Sequence, residues 1–396
     1  MLKTAGITFG SKLGSALINF GLIIAISQLL GPAERGHCAL YLLILALIAG
    51  CSDIMAGAAT SFLVQTYSPK KIYDLQAYWA FAPAAIIPST WLFSGGISAF
   101  ETMLLVIAGW VHSRFNIQQH LLLALHRFNR FNLNGLLFPL MAAFFFLLFW
   151  KFGYRSSLGY LVAISLGWVL LFLSNHYYFR DFLEAHPLHS GLIPHARDLI
   201  GPGLVNQASH LVSIANNRLI FFILPATGLG LWSNVLSISE ALFMIPGSLG
   251  QIMYALLSGN KGSGHYHVFK KAFFANFFLT AIAVFFLAIL PENIWLFIFG
   301  NSFAGIKELL VIILPGLSMY SIYLLISYLQ SSRGRFALNI YPLIAGLGIN
   351  LIISAWYWFQ DAFTLKNGVF ALSAGWIVTA IMAFVILLLK GRKQLD

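Results

Sequence analysis

The fold of this chain is decided by residues 27–69, which read SQLLGPAERGHCALYLLILALIAGCSDIMAGAATSFLVQTYSP. A turn at Gly31 and Pro32 ends one apolar run, and a second run continues from 37 to 66 with one charged residue, Asp53. Each run exceeds the roughly 20 residues that an α-helix needs to cross a bilayer. The segment therefore predicts two membrane-spanning helices joined by a short turn.

The apolar pattern extends over the whole chain. Of its 396 residues, 59% are hydrophobic and 9% are charged, against roughly a quarter charged in a soluble domain. The mean hydropathy is +0.84. We predict an all-α integral membrane protein with about twelve spans, at 5–30, 37–66, 77–95, 100–124, 133–152, 157–179, 199–225, 229–258, 270–290, 304–331, 336–359 and 367–389.

The basic residues predict the orientation. If the spans alternate, the N-terminal side carries fifteen of them, and the opposite side carries five, namely Arg35, Lys151, Arg155, Lys307 and Lys366. The excess predicts that both termini are cytoplasmic, by the positive-inside rule. The net charge of +11 is spread over short loops without a basic stripe. This distribution argues against nucleic acid and favours anionic membrane lipids as partners.

The two halves of the chain resemble each other. Residues 29–36, LLGPAERG, align with 223–230, ILPATGLG, at an offset of 194. We predict an N-terminal six-helix bundle at 1–179, a cytoplasmic linker at 180–198 and a C-terminal six-helix bundle at 199–396. Because six is even, both halves insert the same way round, as in transporters with parallel repeats.

Polar stripes also match between the halves. Helical spacing places polar residues on one face of the first and the seventh span. On the first they are Thr8, Ser11, Lys12, Ser15 and Asn19, and on the seventh Asn206, Ser209, His210, Ser213 and Asn217. Such faces are predicted to line a polar cavity.

Residues 27–69, 229–258 and 298–335 resemble bacterial polysaccharide flippases of the Wzx type. The first stretch has their Leu-Gly-Pro, an acidic residue and a Gly after the first helix, and an Asp near the middle of the second. The resemblance implies the fold of the multidrug/oligosaccharidyl-lipid/polysaccharide exporter superfamily, two pseudo-symmetric six-helix bundles around a central cavity, without a cofactor.

The same resemblance implies a function. Wzx-type proteins move undecaprenyl-pyrophosphate-linked sugar repeat units across the bacterial inner membrane for O-antigen and related surface polysaccharides. The expected partners are the lipid-linked oligosaccharide, a polysaccharide polymerase and the chain-length machinery. Alternating access is the expected mechanism.

Ionisable residues inside the spans are the candidate functional residues, since each costs about 2.5–3.5 kcal/mol to insert. A guanidinium offers a forked donor to pyrophosphate, which favours Arg114. The alternative for Arg114 is an ion pair with an acid of another helix. The predicted substrate-binding residues are Arg114, Arg218, Lys12, Gln118, Asn19, His210 and Asn217.

Two acids have a separate predicted role. Asp53 and Glu240 lie on spans that correspond in the repeat, about two turns apart on equivalent faces. Either they bind a coupling proton or cation, or they neutralise Arg114, Arg218 or Lys12.

Two other functions are open. A cation-coupled multidrug exporter of the same superfamily would favour acids in its cavity, but the first and seventh spans contain none. A membrane polysaccharide polymerase or ligase is the other alternative. Because the outward loops are short and no nucleophile elbow is present, we predict a transporter rather than an enzyme. No metal site is predicted either, because His186, His189 and His195 have no companions at ligand spacing.

Overall fold

The computed structural model describes residues 2–55, 57, 60–64, 66–93, 96–185, 195–224, 226–257 and 265–391. These ranges are almost entirely helical. The α-helices are α1 (Leu2–Ser52), α2 (Thr60–Leu63), α3 (Pro69–Phe93), α4 (Ala99–Ala124), α5 (Phe128–Lys151), α6 (Ser157–Ala185), α7 (Ala196–Arg218), α8 (Ala226–Leu242), α9 (Met244–Leu257), α10 (His265–Ile289), α11 (Glu292–Phe299), α12 (Ile306–Ser332), α13 (Ile340–Phe359) and α14 (Leu365–Gly391). Short 3₁₀ turns lie at Leu219–Phe222, Asn301–Phe303 and Phe336–Asn339.

The turn predicted between the first two spans lies inside α1. Gly31 has φ 81° and ψ 178°, which lies outside the helical region. Glycine adopts this conformation more readily than other residues. Pro32 follows and has no N–H to donate to the preceding turn. The chain therefore bends at the predicted position, although helical geometry resumes at once.

Two predicted spans are interrupted. Span 37–66 breaks between Ser52, where α1 ends, and Thr60, where α2 begins. Span 229–258 breaks between α8 and α9. The position of the second break is explained by Pro246, because its backbone nitrogen has no hydrogen to donate to the carbonyl of Leu242. Both breaks correct the prediction of continuous helices.

Eight stretches of the described residues meet the length and hydropathy of a membrane span. One of them, Gly10–Ser52, has 43 residues and is long enough to cross twice. Helices α3, α4 and α7 have the length of a span and are more polar. Along α10 the large side chains of Phe274, Phe277 and Phe285 are exposed. Such apolar surface suits lipid rather than water.

The chain forms two compact units. The first contains Met1–Leu30 and His37–Leu211, and the second contains Gly31–Gly36 and Val212–Asp396. The boundary thus lies within the continuous helix α7, whereas the sequence analysis placed it after residue 198. The predicted linker is helical at both ends, since α6 runs to Ala185 and α7 begins at Ala196. Residues 186–194, with His186 and His189, lie outside the described ranges.

The first unit has a cluster of buried side chains where α2, α3, α4, α6 and the start of α7 meet. It consists of Met55, Leu63, Ile72, Tyr73, Ile117, Leu121, Leu122, Phe179 and Leu199. Because Met55 belongs to this cluster, the packing holds the segment that follows Ser52 in place.

The second unit is centred on α12, which packs against α8, α9, α10 and α14. Glycines allow close approach of helices in this unit. A Cβ on Gly316 would lie 2.6 Å from Cα of Ser373, and one on Gly346 would lie 2.5 Å from the carbonyl oxygen of Gly375. Small residues at helix contacts are typical of membrane proteins.

Candidate functional site

The interruption between α1 and α2 is stabilised by hydrogen bonds from other parts of the first unit. Trp79 on α3 donates its indole N–H to the carbonyl of Cys51 at 2.9 Å, near the end of α1. The hydroxyl of Thr60, the first residue of α2, donates to the carbonyl of Gly57 at 2.6 Å. Gly57 has φ +39°, a value that glycine adopts without strain. The irregular backbone therefore has specific partners, as required within a membrane.

Asp53 is the first residue of this interruption. The residue is only 6% exposed. Oδ2 accepts a hydrogen bond from Nδ2 of Asn116 at 2.7 Å and lies 3.4 Å from Nε2 of His120. These two residues are one turn apart on α4. Oδ1 is buried and accepts no hydrogen bond from any described residue.

Helix α7 lies close to Gly57 in the same segment. A Cβ on Gly57 would lie 2.9 Å from Cβ of Asp53 and 3.4 Å from Nε2 of Gln207. Glycine is thus needed here for close approach as well as for its φ. His112 on α4 and His210 on α7 are further titratable side chains in electrostatic range of Asp53.

Arg114 lies on α4 with 5% of its surface exposed. Nη1 donates to the carbonyl of Tyr73 at 2.5 Å, and the guanidinium carbon lies 3.6 Å from the centroid of the Tyr73 ring. Nη1 is also 3.5 Å from Oε1 of Gln76. No carboxylate in the described ranges forms an ion pair with Arg114. The alternative to substrate binding, an ion pair with an acid of another helix, is therefore not present among these residues, and Arg114 instead contacts the backbone and the Tyr73 ring of α3.

Gln118, one turn after Arg114, belongs to the same network. Its Nε2 donates to the Tyr73 hydroxyl at 3.1 Å and lies 3.4 Å from the carbonyl of Phe172 on α6. The Tyr73 hydroxyl in turn lies 3.4 Å from Nδ1 of His176. Arg114 and Gln118 thus connect α4 with α3 and α6.

Three predicted substrate-binding residues are exposed in the first unit: Lys12 and Asn19 on α1, and His210 on α7. Nearby, the hydroxyl of Ser11 donates to the carbonyl of Asn132 on α5 at 2.7 Å. This bond fixes the rotation of α1 against α5. The side chains of Thr8 and Asn206 lie outside the described part of the structure.

In the second unit Arg218 pairs with an acid. Its Nη2 donates to Oε1 of Glu240 on α8 at 2.8 Å, and the two side chains are 22% and 47% exposed. The guanidinium also lies 5.4 Å from the ring centroid of Phe221. The sequence analysis left open whether Arg218 meets substrate or an acid, and the structure places it against Glu240.

The C-terminal part of the polar stripe on α7 contacts neighbouring helices. Asn217 accepts a hydrogen bond from the indole N–H of Trp376 at 2.9 Å. Ser213 lies 3.0 Å from the hydroxyl of Tyr320. Polar side chains at these positions join helices within the second unit, a common role in membrane proteins.

The position of Arg35 was not predicted from the sequence. Arg35 is among the residues assigned to outward loops, but it is 2% exposed. Its Nε donates to Oδ1 of Asn234 on α8 at 3.0 Å, and its Nη2 lies 3.4 Å from Oγ of Ser237. Close by, a Cβ on Gly230 would lie 2.0 Å from the carbonyl oxygen of Pro32. These contacts explain why Gly31–Gly36 belongs to the second unit.

The partners of Asp53 were not predicted from the sequence either. Asn116 and His120 are polar residues four positions apart in a predicted span, so they share one helix face. This spacing was a usable signal. What could not be read from one sequence is that the face meets Asp53, 63 residues earlier.

The sequence matches no protein-family model and no curated protein. Solved structures do match, and 31 chains are significantly similar. One is the lipid II flippase MurJ in an inward closed conformation, with a TM-score of 0.72 and 14% identity over 98% of this chain and 87% of that one. Another is a eukaryotic MATE transporter, with a TM-score of 0.68 and 16% identity over 98% and 96%.

A third similar structure is an inward-facing multidrug resistance MATE family transporter of the MOP superfamily, with a TM-score of 0.64 and 16% identity over 99% and 98% of the two chains. The proteins named in these comparisons are transporters and a flippase. The predicted all-α membrane fold is confirmed. The chain has the fold that MATE transporters and the lipid II flippase share.

Proposed function

We propose that this protein flips undecaprenyl-pyrophosphate-linked oligosaccharide repeat units from the cytoplasmic to the outer leaflet of the bacterial inner membrane by alternating access. The polymerase and chain-length machinery expected from the sequence resemblance belong to this proposal, as does the cytoplasmic position of both termini. The fold supports the proposal because the lipid II flippase MurJ has a similar one.

The observation that carries the proposal is the charge of the exposed polar faces. Lys12 and Asn19 on α1 and His210 on α7 are exposed. Neither 5–30 nor 199–218 contains an Asp or Glu. Donors without acids suit an anionic headgroup, since a pyrophosphate that leaves water needs fixed donors to replace its hydration.

The remaining predicted substrate-binding residues fit a supporting role better. Arg114 and Gln118 donate to groups of α3 and α6, Arg218 to Glu240, and Asn217 accepts from Trp376. We assign the headgroup contact to Lys12, Asn19 and His210 because these three side chains are exposed. The other four stabilise the helices that carry them.

A cation-coupled multidrug exporter is the second candidate function. MATE transporters share the fold over nearly their whole length. An exporter of organic cations would be favoured by an acid exposed to the substrate. Glu240, one of the exposed acids, is however paired with Arg218, which leaves less negative charge for such a substrate.

The test uses the purified protein in liposomes that contain a fluorescent polyprenyl-pyrophosphate oligosaccharide. A membrane-impermeant lectin measures how fast the sugar reaches the opposite leaflet. Lys12→Ala should lower the rate about tenfold or more, because a charged hydrogen bond contributes about 1.5–3 kcal/mol. His210→Ala should lower it less.

The matched control is Lys366→Ala. Lys366 is an exposed lysine that pairs with Glu308 in the second unit, and its loss should leave the rate unchanged. Transport of an organic cation dye by liposomes that do not move the lipid-linked sugar would instead favour the exporter.

A further inference from the structure

We propose that Arg130, in the first turn of α5, forms with the facing part of α6 a binding site for the phosphate of an anionic phospholipid. The site lies within the first unit, and its ligand is a resident membrane lipid rather than the transported molecule. In the orientation proposed above, it lies in the cytoplasmic leaflet. The site does not depend on which substrate the protein moves.

The guanidinium of Arg130 is held in place by side chains of α6. Its Nε donates to Oδ1 of Asn175 at 3.1 Å, and its Nη2 donates to the hydroxyl of Ser174. Oδ1 of Asn175 also accepts a bond from Nδ2 of Asn134 at 3.1 Å, and both asparagines are fully buried. The guanidinium carbon lies 5.7 Å from the ring centroid of Tyr178. Because this arginine is fixed before a ligand arrives, less entropy is lost on binding.

The charge of Arg130 is not neutralised by the described part of the protein. None of the carboxylates there forms an ion pair with it, and the sequence has no Asp or Glu from 102 to 180. An arginine has five N–H donors. Its bonds to Asn175 and Ser174 use one N–H of Nε and one of Nη2. Both N–H groups of Nη1 and one of Nη2 therefore remain for a ligand, and the oxygens of a phosphate suit such a fork.

The site lies at the depth of lipid headgroups. Arg130 is in the first turn of the apolar stretch Phe128–Lys151, and Ser174 lies near the end of the apolar stretch Ser157–Phe179. Each stretch is long enough to cross the hydrocarbon layer. Their ends therefore meet the headgroup region, where basic pockets between helices bind anionic lipids.

Exposed apolar side chains continue from the basic group towards the middle of the membrane. Leu133 is three positions after Arg130 on α5, and Leu170 is four positions before Ser174 on α6, so each leucine shares a helix face with the polar residue. Both leucines are exposed. A phospholipid presents its phosphate and its acyl chains in the same order, whereas a free phosphate ion gains nothing from apolar surface. This arrangement favours a lipid as the ligand.

The start of α5 adds positive charge at the same place. The N-cap residue, Arg127, is exposed and gives the first turn no side-chain hydrogen bond. The partial positive charge at the N-terminus of a helix favours a nearby anion. It supports the site that Arg130 forms but would not make a site alone.

The experiment measures the binding of lipids to the full-length protein in detergent by native mass spectrometry. Phosphatidylglycerol and phosphatidylcholine with the same acyl chains are compared, so that only the headgroup differs. We expect the wild type to bind its first phosphatidylglycerol about tenfold more tightly or better, the ratio that one charged hydrogen bond gives. Arg130→Ala should lose this preference.

The matched control is Arg155→Ala. Arg155 is an exposed arginine just beyond the other end of α5, and its guanidinium carbon lies 4.9 Å from the ring centroid of Trp150. No hydrogen bond from its side chain to a described residue holds it in place. Its loss removes the same charge at the opposite boundary of the membrane, and the preference for phosphatidylglycerol should remain.

Two milder variants keep the test valid if Arg130→Ala fails to fold. Arg130→Lys retains the charge but not the planar fork, so the preference should fall to an intermediate value. Ser174→Ala removes the bond that fixes Nη2 from an exposed position, and the affinity for phosphatidylglycerol should fall by about threefold or more, as for the loss of one hydrogen bond. Thermal unfolding without added lipid checks that each variant is folded.

Three results would overturn the site. The wild type binds both lipids equally, neither milder variant weakens the binding of phosphatidylglycerol, or Arg155→Ala loses the preference completely. Displacement of the lipid by an equal concentration of inorganic phosphate would identify a free-phosphate site instead. Tighter binding of a polyprenyl pyrophosphate that depends on Arg130 would place the transported substrate there and reject a resident lipid. None of these measurements requires transport, so a failure of the proposed function would leave the lipid site standing.

Discussion

Arg114 donates to the carbonyl of Tyr73 and lies over its ring, whereas Arg218 donates to Glu240. An arginine within a membrane fold must replace its lost hydration. The deeply buried Arg114 obtains this from a backbone carbonyl and a π face, which carry no formal charge. The partly exposed Arg218 obtains it from a carboxylate. The more deeply buried arginine thus has uncharged partners, and the more exposed one has a charged partner.

Arg114→Ala should therefore destabilise the folded protein, by on the order of 3 kcal/mol, because it removes a charged hydrogen bond and a cation–π contact. Arg114→Lys should restore only part of this, since a lysine lacks the planar fork. Thermal unfolding of the purified variants measures the loss.

The control for this prediction is Arg155→Ala, an exposed arginine over the ring of Trp150, whose loss should change the stability by less than about 0.5 kcal/mol. Adding Asp53→Asn should not rescue Arg114→Ala, because the two residues are not paired. An Arg114→Ala protein of wild-type stability that flips no substrate would instead place this guanidinium on the headgroup.

On helix α8, one glycine, Gly230, allows the backbone of the helix to lie against the backbone of Pro32. Gly228 and Gly230 are two positions apart on it. A Cβ on Gly228 would have its nearest neighbour, in the side chain of Leu224, at 3.8 Å. A Cβ on Gly230 would lie 2.0 Å from the carbonyl oxygen and 2.7 Å from the carbonyl carbon of Pro32. The backbone of Pro32 cannot move as a flexible side chain can.

The two glycines should thus respond oppositely to alanine. Gly228→Ala should be neutral or should stabilise by up to about 1 kcal/mol, since alanine favours the helix. Gly230→Ala should destabilise by about 1–3 kcal/mol or more, because the segment 31–36 must be displaced. Thermal unfolding of both variants gives the comparison. Equal effects at both positions would mean that this segment does not pack on α8.

For the whole molecule, the distribution of basic residues predicts the orientation of the chain in the membrane. Arg35 is buried and must be removed from the outward basic residues, which strengthens the bias towards cytoplasmic termini. Reporter fusions after Lys71 and after Lys271 should therefore report the cytoplasm, and a fusion after Arg155 should report the outside. A reversed signal at either lysine would mean that the number of spans before it is odd.

The sequence predicted the spans and the turn at Gly31 well, because hydrophobic length and Gly-Pro chemistry act locally. It did not predict the interruption after Ser52. The carbonyl of Gly57 accepts a hydrogen bond from Thr60, and the carbonyl of Cys51, just before the interruption, accepts one from Trp79. Hydropathy contains no information on either bond. The partners of Arg35 and Asp53 come from residues far along the chain, so the sequence indicated Asp53 as a candidate but did not predict the residues around it.

The insertion of Gly31–Gly36 into the second unit has a consequence for the order of events during synthesis. The partner of Arg35, Asn234, is 199 residues further along the chain. At about 5–20 residues per second, ribosomes need roughly 10–40 s to reach it. During that interval an arginine destined for burial is made but has no Asn234 to bond, and the first unit also waits for the start of α7. We expect that neither unit completes its folding before the other has largely been translated, which makes the nascent chain dependent on the insertion machinery for most of its length.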